Sequence, residues 1–166
     1  MKKTTTQTVR INGARVRLVT QNGRVTTKAA APLEWELQAA QVRRLRAMPE
    51  YAKTAREAGP GKFTFAGDQN SAKRGPKARA QALAAGLVAG EHDVRVYMHG
   101  GILGLIENKV GNANLQPSQV ARHPLLAALG FKLQEVVRAT SEQEAADKAE
   151  TIVRGWLTAT ALPIAA

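Results

Sequence analysis

The sequence predicts an α/β fold, a central mixed sheet flanked by helices, with a β-hairpin arm in front of it. Three observations carry the prediction. From residue 33 onward, segments of helical periodicity alternate with short apolar runs of strand length. Two Asn-Gly dipeptides, Asn12-Gly13 and Asn22-Gly23, divide the N-terminal segment into strand-length pieces. The chain of 166 residues has the length of one domain and no cysteine, so a packed core forms without disulfides or cysteine-zinc sites.

Residues 1–31 carry basic side chains and no acid. Thr8–Ile11, Ala14–Thr20 and Arg24–Thr27 read as strands, and Asn-Gly suits two-residue hairpin turns because both positions tolerate φ > 0. A linker follows through Pro32. A helix is expected from Leu33 to about Met48, stopped by Pro49. On it Leu37, Val42, Leu45 and Met48 share one side at about 100° per residue, and Glu34, Gln38 and Gln41 fall in the same sector. Glu36 and Arg43 point the other way. A carboxylate and two amides inside an apolar face need partners, because an unpaired buried charge is costly.

Residues 49–62 read as loop, ending in Gly59-Pro60-Gly61, and Phe63–Ala66 as a short strand. Ser71–Arg79 is a basic stretch with Lys73, Arg74, Lys77 and Arg79. It leads into an alanine-rich helix that stops near Gly86. Asp93–Met98 and Ile102–Val110 read as strands at the heart of the sheet, joined by His99-Gly100-Gly101. Pro117 opens a helix that ends at Gly130, with Pro124 expected to kink it. Phe131–Arg138 reads as a strand. Ser141-Glu142-Gln143-Glu144 is a capping box for a last helix running to about Leu157, with a frayed tail after it. Trp35 and Trp156 are expected in the core, His99 in a turn and His123 on a helix surface. The division is therefore an arm (1–31), a main domain (32–158) and a tail (159–166).

Charge gives the first functional indication. Twenty-four lysines and arginines against 13 acids leave a formal net charge of +11. A field of that sign captures polyanions, and nucleic acid leads the candidates. No run approaches the ~18 apolar residues of a membrane span, and no apolar stretch follows Lys2 and Lys3 as in a signal peptide. The expected location is cytoplasmic, in a bacterial or phage-infected cell, without membrane association. Gly59-Pro60-Gly61-Lys62 lacks the spacing of a phosphate-binding Walker loop, so no nucleotide cofactor is expected. Aromatic content of 4% argues against a single-strand stacking platform.

The candidate chemistry lies in Asp93 and in Glu107-Asn108-Lys109. Side chains two apart on a strand share a face, so Leu105, Glu107 and Lys109 point one way, Ile106 and Asn108 the other. A hairpin of the two strands brings Asp93 beside Glu107. Two converging carboxylates repel unless a cation lies between them, and oxygen ligands suit Mg²⁺. Lys109 on the same face is placed to orient a water or stabilise a phosphate. The plainer reading makes Asp93 a turn residue and Glu107 with Lys109 a solvated pair. The apolar setting of Leu103–Val110 favours the chemical one.

These motifs together resemble the VRR-NUC domain, a branch of the PD-(D/E)xK nucleases, over roughly residues 33–157. Leu33–Gln38 is similar to its opening helix with E-x-x-x-Q, and Lys73–Gly86 to its basic loop and alanine-rich helix. Gly90-Glu91-His92-Asp93 is similar to G-x-P-D, Glu107-Asn108-Lys109 to E-x-K, and Leu115–Gln119 to L-S-x-x-Q. The chain departs from the pattern at His92, where proline is usual, at Gln116, where a serine cap is usual, and at Pro124.

The resemblance implies an αβββαβ restriction-endonuclease-like core. It also implies a Mg²⁺-dependent endodeoxyribonuclease, with Mn²⁺ able to substitute. Asp93, Glu107 and Glu34 would bind the metal, Lys109 would assist catalysis, and Gln119 would lie at the edge of the site, supported by Gln38. Branched DNA, a four-way junction or flap, would be the substrate, and a homodimer the acting form, in repair or recombination. Lys73, Arg74, Lys77 and Arg79, the arm residues Arg10, Arg15, Arg17 and Arg24, and His92 are the candidate DNA contacts. The alternatives are a non-catalytic DNA-binding or architectural module on the same fold, and an arm that docks an acidic protein.

Overall fold

The computed structural model describes residues 4–12, 14–68 and 75–161. Three strands, β1 (Thr4–Ile11), β2 (Ala14–Gln21) and β3 (Arg24–Ala29), form an antiparallel sheet of their own in the order β1-β2-β3. Asn12 and Asn22 take positive φ, 49 and 53, as the expected tight turns require, and Gly23 follows at 75. Ile11 consequently pairs with Ala14 and Gln21 with Arg24. The register gives this sheet two unlike faces. Arg10 lies opposite Arg15, and Arg17 opposite Lys28, so these cations and Arg24 share one face, while Val9, Ile11, Val16, Leu18 and Val25 share the other.

The main domain follows the predicted order of elements. Helix α1 (Glu34–Ala47) leads through a 3-10 turn (Ala55–Glu57) to β4 (Phe63–Gly67) and α2 (Pro76–Ala84). Then come β5 (Val94–Met98), β6 (Ile102–Val110), α3 (Pro117–Ala128), β7 (Leu133–Ala139) and α4 (Glu142–Ala161). The sheet order is β4-β5-β6-β7, antiparallel except for the parallel β6/β7 pair. The strands β5 and β6 therefore occupy its centre, as expected.

One face of the sheet carries the core. Val94, Val96 and Met98 of β5, Ile106 of β6 and Val137 of β7 pack against Leu37 and Leu45 of α1 and Ala145, Ala149, Val153 and Trp156 of α4. A Cβ on Gly104 would lie 2.3 Å from the Trp156 ring, so β6 is open there to admit the indole. Arginine-carboxylate pairs rim the two helices, Arg44 with Asp147 and Glu150 at 2.8 and 2.7 Å. No helix among the described residues is long and apolar enough to cross a membrane.

Several details differ from expectation. Helix α4 continues past Leu157 through Ala161, so residues 158–161, expected in a frayed tail, are helical, and the remainder of that expected tail lies outside the described residues. Its start is capped as foreseen, Ser141 Oγ accepting from Glu144 N at 3.2 Å, but the Glu144 carboxylate accepts from Thr140 N at 2.8 Å, one residue earlier than a standard box. Helix α3 holds Pro124 within it, as expected. Trp35 is 57% exposed, not in the core, because the α1 face that carries it looks past the edge strand β4 rather than onto the sheet.

Candidate active site

Alternation along β6 sorts its side chains onto the two faces of the sheet. Gly104, Ile106 and Asn108 look toward α1 and α4, whereas Glu107 and Lys109 look toward α3. The last register pair of the central hairpin is Val94 with Ile106. One further step of that ladder brings Asp93 across from Glu107, where opposed Cβ atoms lie about 5 Å apart. Asp93 Oδ2 accepts the Asn108 backbone N–H at 2.7 Å, which fixes its carboxylate against β6.

Lys109 holds the cluster together. Its Nζ donates to Glu107 Oε1 at 2.7 Å, to Glu34 Oε1 at 3.3 Å and to the Asn108 carbonyl at 3.0 Å. Glu107 and Lys109 are almost wholly buried, at 1% and 3% exposure, whereas the Glu34 side chain is about half exposed. Gln119 Nε2 donates to Glu107 Oε1, and its Oε1 accepts from Gln116 N at 2.8 Å. The cap of α3 thereby orients the Gln119 amide so that it presents only a donor to Glu107. Gln116 in place of serine leaves this start of α3 intact.

The support is as specific as the cluster. Gln38 Nε2 donates to the carbonyls of Asp93 and Asp68 at 2.9 and 3.4 Å. Gln41, fully buried, donates to Asn108 Oδ1 at 2.6 Å. A Cβ on Gly90 would fall 2.3 Å from the Ser118 carbonyl oxygen, and its φ of +89 is in the left-handed region. Glycine there lets α3 approach the chain just before Asp93 and brings Gln119 to Glu107.

Burial sets the electrostatics. Desolvation raises Glu107 to about 7, with the neighbouring Asp93 charge adding to it against the hydrogen bonds from Lys109 and Gln119. Asp93 is raised for the same first reason. Burial lowers Lys109, but its bonds to Glu107 and Glu34 outweigh that and raise it overall. Glu107 Oε2 has no hydrogen-bond partner although buried. Facing it at 3.9 Å is Nε2 of His123, also buried and unpartnered.

The histidines correct the sequence reading. His123 is not a surface residue. It stacks on His92 with centroids 3.8 Å apart and 19° between planes. His92 is fully buried, so the expected phosphate contact has no exposed atom to make it, and desolvation lowers its pKa to about 4. Both of its nitrogens lack hydrogen-bond partners. Around the rim, Arg95 pairs with Asp68 at 2.6 Å, and Arg122 pairs with Glu91. Sequence reading missed this network, His123 and Asn108. Only the Gln41 sector hinted at the buried amide that meets Asn108.

The remaining candidates lie apart. Lys77 and Arg79 are exposed on α2, a helix with no buried residue, and Lys73 and Arg74 lie outside the described residues. Arg17 and Arg24 are exposed on the arm. Arg10 and Arg15 are committed instead to Glu36, at 3.0 and 3.7 Å. Glu36 also accepts from Leu33 N at 2.8 Å, and that bond is the first cause of its lowered pKa. Glu36 does point away from the cluster, but into a buried joint between arm and helix.

For a cation, the donors are the Asp93 and Glu107 carboxylates, with the orphaned Glu107 Oε2 facing inward. Among the described residues, no three carboxylates or imidazoles gather into a ready metal cage, and Glu34, engaged with Lys109, does not complete one with the other two. Two carboxylates with water and substrate oxygens filling the other positions is the way Mg²⁺ is commonly held. No protein-family model, curated protein or solved structure matches the chain.

Proposed function

We propose that the protein is a divalent-cation-dependent endonuclease of DNA, with a PD-(D/E)xK-type centre at Asp93, Glu107 and Lys109, as the resemblance to VRR-NUC domains implies. One observation carries this reading. A buried carboxylate, a partly buried one and a buried amine converge at the middle of the sheet, and one oxygen of the buried carboxylate is left without a partner. A buried ion pair held only for stability costs more than a well-packed apolar pair of the same volume. An oxygen both buried and unpartnered calls for a ligand.

Asp93 and Glu107 would hold the cation, which when bound supplies a lowered water pKa and positive charge beside a phosphate. The backbone N–H of Asn108 keeps the Asp93 carboxylate in place. Gln119, oriented by its helix cap, keeps one oxygen of Glu107 occupied and leaves the other for the ion. Lys109, held charged by Glu107 and Glu34, can donate to a water or to a non-bridging phosphate oxygen. Lys77 and Arg79 on α2, with Arg17 and Arg24 on the arm, would grip the flanking backbone without reading sequence. By resemblance, branched DNA is the substrate and a homodimer the acting form.

The test is incubation with junction, flap, duplex and single-stranded DNA, with and without Mg²⁺ or Mn²⁺. Cation-dependent cutting by the wild type and none by Asp93→Asn is the expected result. Cutting by Asp93→Asn at the wild-type rate would refute the centre, and DNA binding with no cutting in either metal would leave an architectural module.

A further inference from the structure

Beside this centre lies a groove of about 810 Å³, between α1 and the edge strand β4. Its helix wall is a single stripe. Trp35, Ala39, Val42 and Arg46 recur at the spacing that aligns them on one face of α1. Phe65 of β4 forms the opposite wall, and the Arg46 guanidinium lies 5.8 Å above its ring. Gln38 closes one end, the same Gln38 whose amide holds the Asp93 carbonyl at 2.9 Å. The groove therefore abuts the centre through one side chain.

We propose that this groove seats an unpaired nucleotide of the nucleic acid that the centre engages, with its base against Trp35 and its phosphate beside Arg46. A tryptophan 57% exposed at the mouth of a concave site offers a flat apolar surface to an incoming ring. Bases stack on such rings whatever their sequence, whereas a base inside a duplex has both faces covered by its stacked neighbours. The ligand's charge follows from the surroundings. Arg43 and Arg46 line the groove, Arg43 paired with Glu142 and Arg46 lying over the Phe65 ring; the acid beside them, Asp68, is paired with Arg95, and the chain carries a net charge of +11. The volume is within the range of small-ligand clefts. The proposal rests on the nucleic-acid reading for its ligand class and adds that the strand next to the centre is locally unpaired.

The experiment uses the full chain in EDTA, titrated with a short oligothymidylate, and reads tryptophan fluorescence. Trp156 is 7% exposed under β6, so the solvent-sensitive emission belongs to Trp35. Quenching of that component is expected, and an abasic oligonucleotide of the same length should bind more weakly without it. With the oligonucleotide end-labelled and binding followed by the anisotropy of the label, Trp35→Leu should weaken binding by about 5- to 150-fold, the span of one base-aromatic stack, while Trp35→Phe retains most of it. Trp35 is a surface residue, and unchanged Trp156 emission in both variants verifies their fold. Absence of quenching, or wild-type affinity in Trp35→Leu, would overturn the proposal. The nuclease reading fails separately. Quenching without cation-dependent cutting refutes cleavage and keeps the groove, whereas cutting of flaps with no response from Trp35 refutes the groove and keeps cleavage.

Discussion

Replacing Glu107 by glutamine should abolish cutting and, in the absence of divalent cations, make the protein more stable. The carboxyl titrates near 7 in the folded chain against an ordinary value of 4.5. Between those two values the native state binds more protons than the unfolded state, so the contribution of Glu107 to stability falls as pH rises. It is neutral below about 4.5 and fully adverse above about 7. Converted at about 1.4 kcal/mol per pH unit, the adverse limit is about 3 kcal/mol. A glutamine removes that charge and keeps the volume. Its Oε1 can still accept from Lys109 and Gln119, and its amide nitrogen would occupy the position of the unpartnered Oε2, 3.9 Å from His123 Nε2. Against this gain, Lys109 exchanges a charged acceptor for a neutral one, a loss of about 1 kcal/mol.

The net is about 2 kcal/mol in favour of Glu107→Gln near pH 8, or about 4–8 °C in Tm for a chain of this length. The assay is thermal unfolding in EDTA across the range from about pH 4.5 to 8. The difference between variant and wild type should shrink toward zero or below at the acid end. Adding Mg²⁺ should raise the Tm of the wild type and leave the variant unmoved, because a ligand stabilises only the state that binds it. A variant less stable than wild type at high pH, or a difference that does not change with pH, would contradict this account. The buried charge would then be no burden awaiting a cation.

Other expectations follow from single contacts. Gly90→Ala places a Cβ 2.3 Å from the Ser118 carbonyl in a left-handed backbone, so it should cost more than about 1 kcal/mol and lower activity by displacing Gln119, both readable by denaturant melts and a cutting assay. Gly104→Ala drives a methyl into the Trp156 ring at 2.3 Å and should cost about 1–3 kcal/mol of stability, with a shift in the buried tryptophan emission. Lys77→Ala with Arg79→Ala should weaken DNA binding across sequences and reduce the log–log salt slope by about 0.9 for each phosphate no longer neutralised, and an unchanged slope would remove α2 from the interface.

Much of the fold is legible in the sequence because local signals and tertiary packing agree. The Asn-Gly turns, the stop at Pro49 and the Ser141 cap each name a boundary that local chemistry enforces. Period-two alternation in β6 is enough to separate Glu107 and Lys109 from Asn108. What escapes is set by neighbours distant in sequence. Trp35 looks like a core residue by composition, and only the edge position of β4 leaves its face uncovered. His123 is polar enough for a helix surface, yet the approach of α3 at Gly90 stacks it on His92 and turns it toward Glu107. Arg10 and Arg15 look like phosphate contacts until the arm folds onto Glu36.

The first turn of α1 shows how closely these features are coupled. At about 100° per residue, four consecutive side chains leave the helix in four directions. Glu34 reaches Lys109, Trp35 opens onto the groove, Glu36 takes the arm's arginines, and Leu37 enters the core. The buried leucine sets the rotation of the helix, so the packing of Leu37 and Leu45 determines whether the other three meet their partners. Inserting one residue between Pro32 and Glu34 would leave that rotation intact and strain only the joint to the arm. Inserting one between Glu36 and Leu37 would turn Glu34 from the amine, Trp35 from the groove and Glu36 from the arm at once. Core packing thus supplies the alignment that brings arm, groove and the Lys109–Glu107 cluster together at the first turn of one helix.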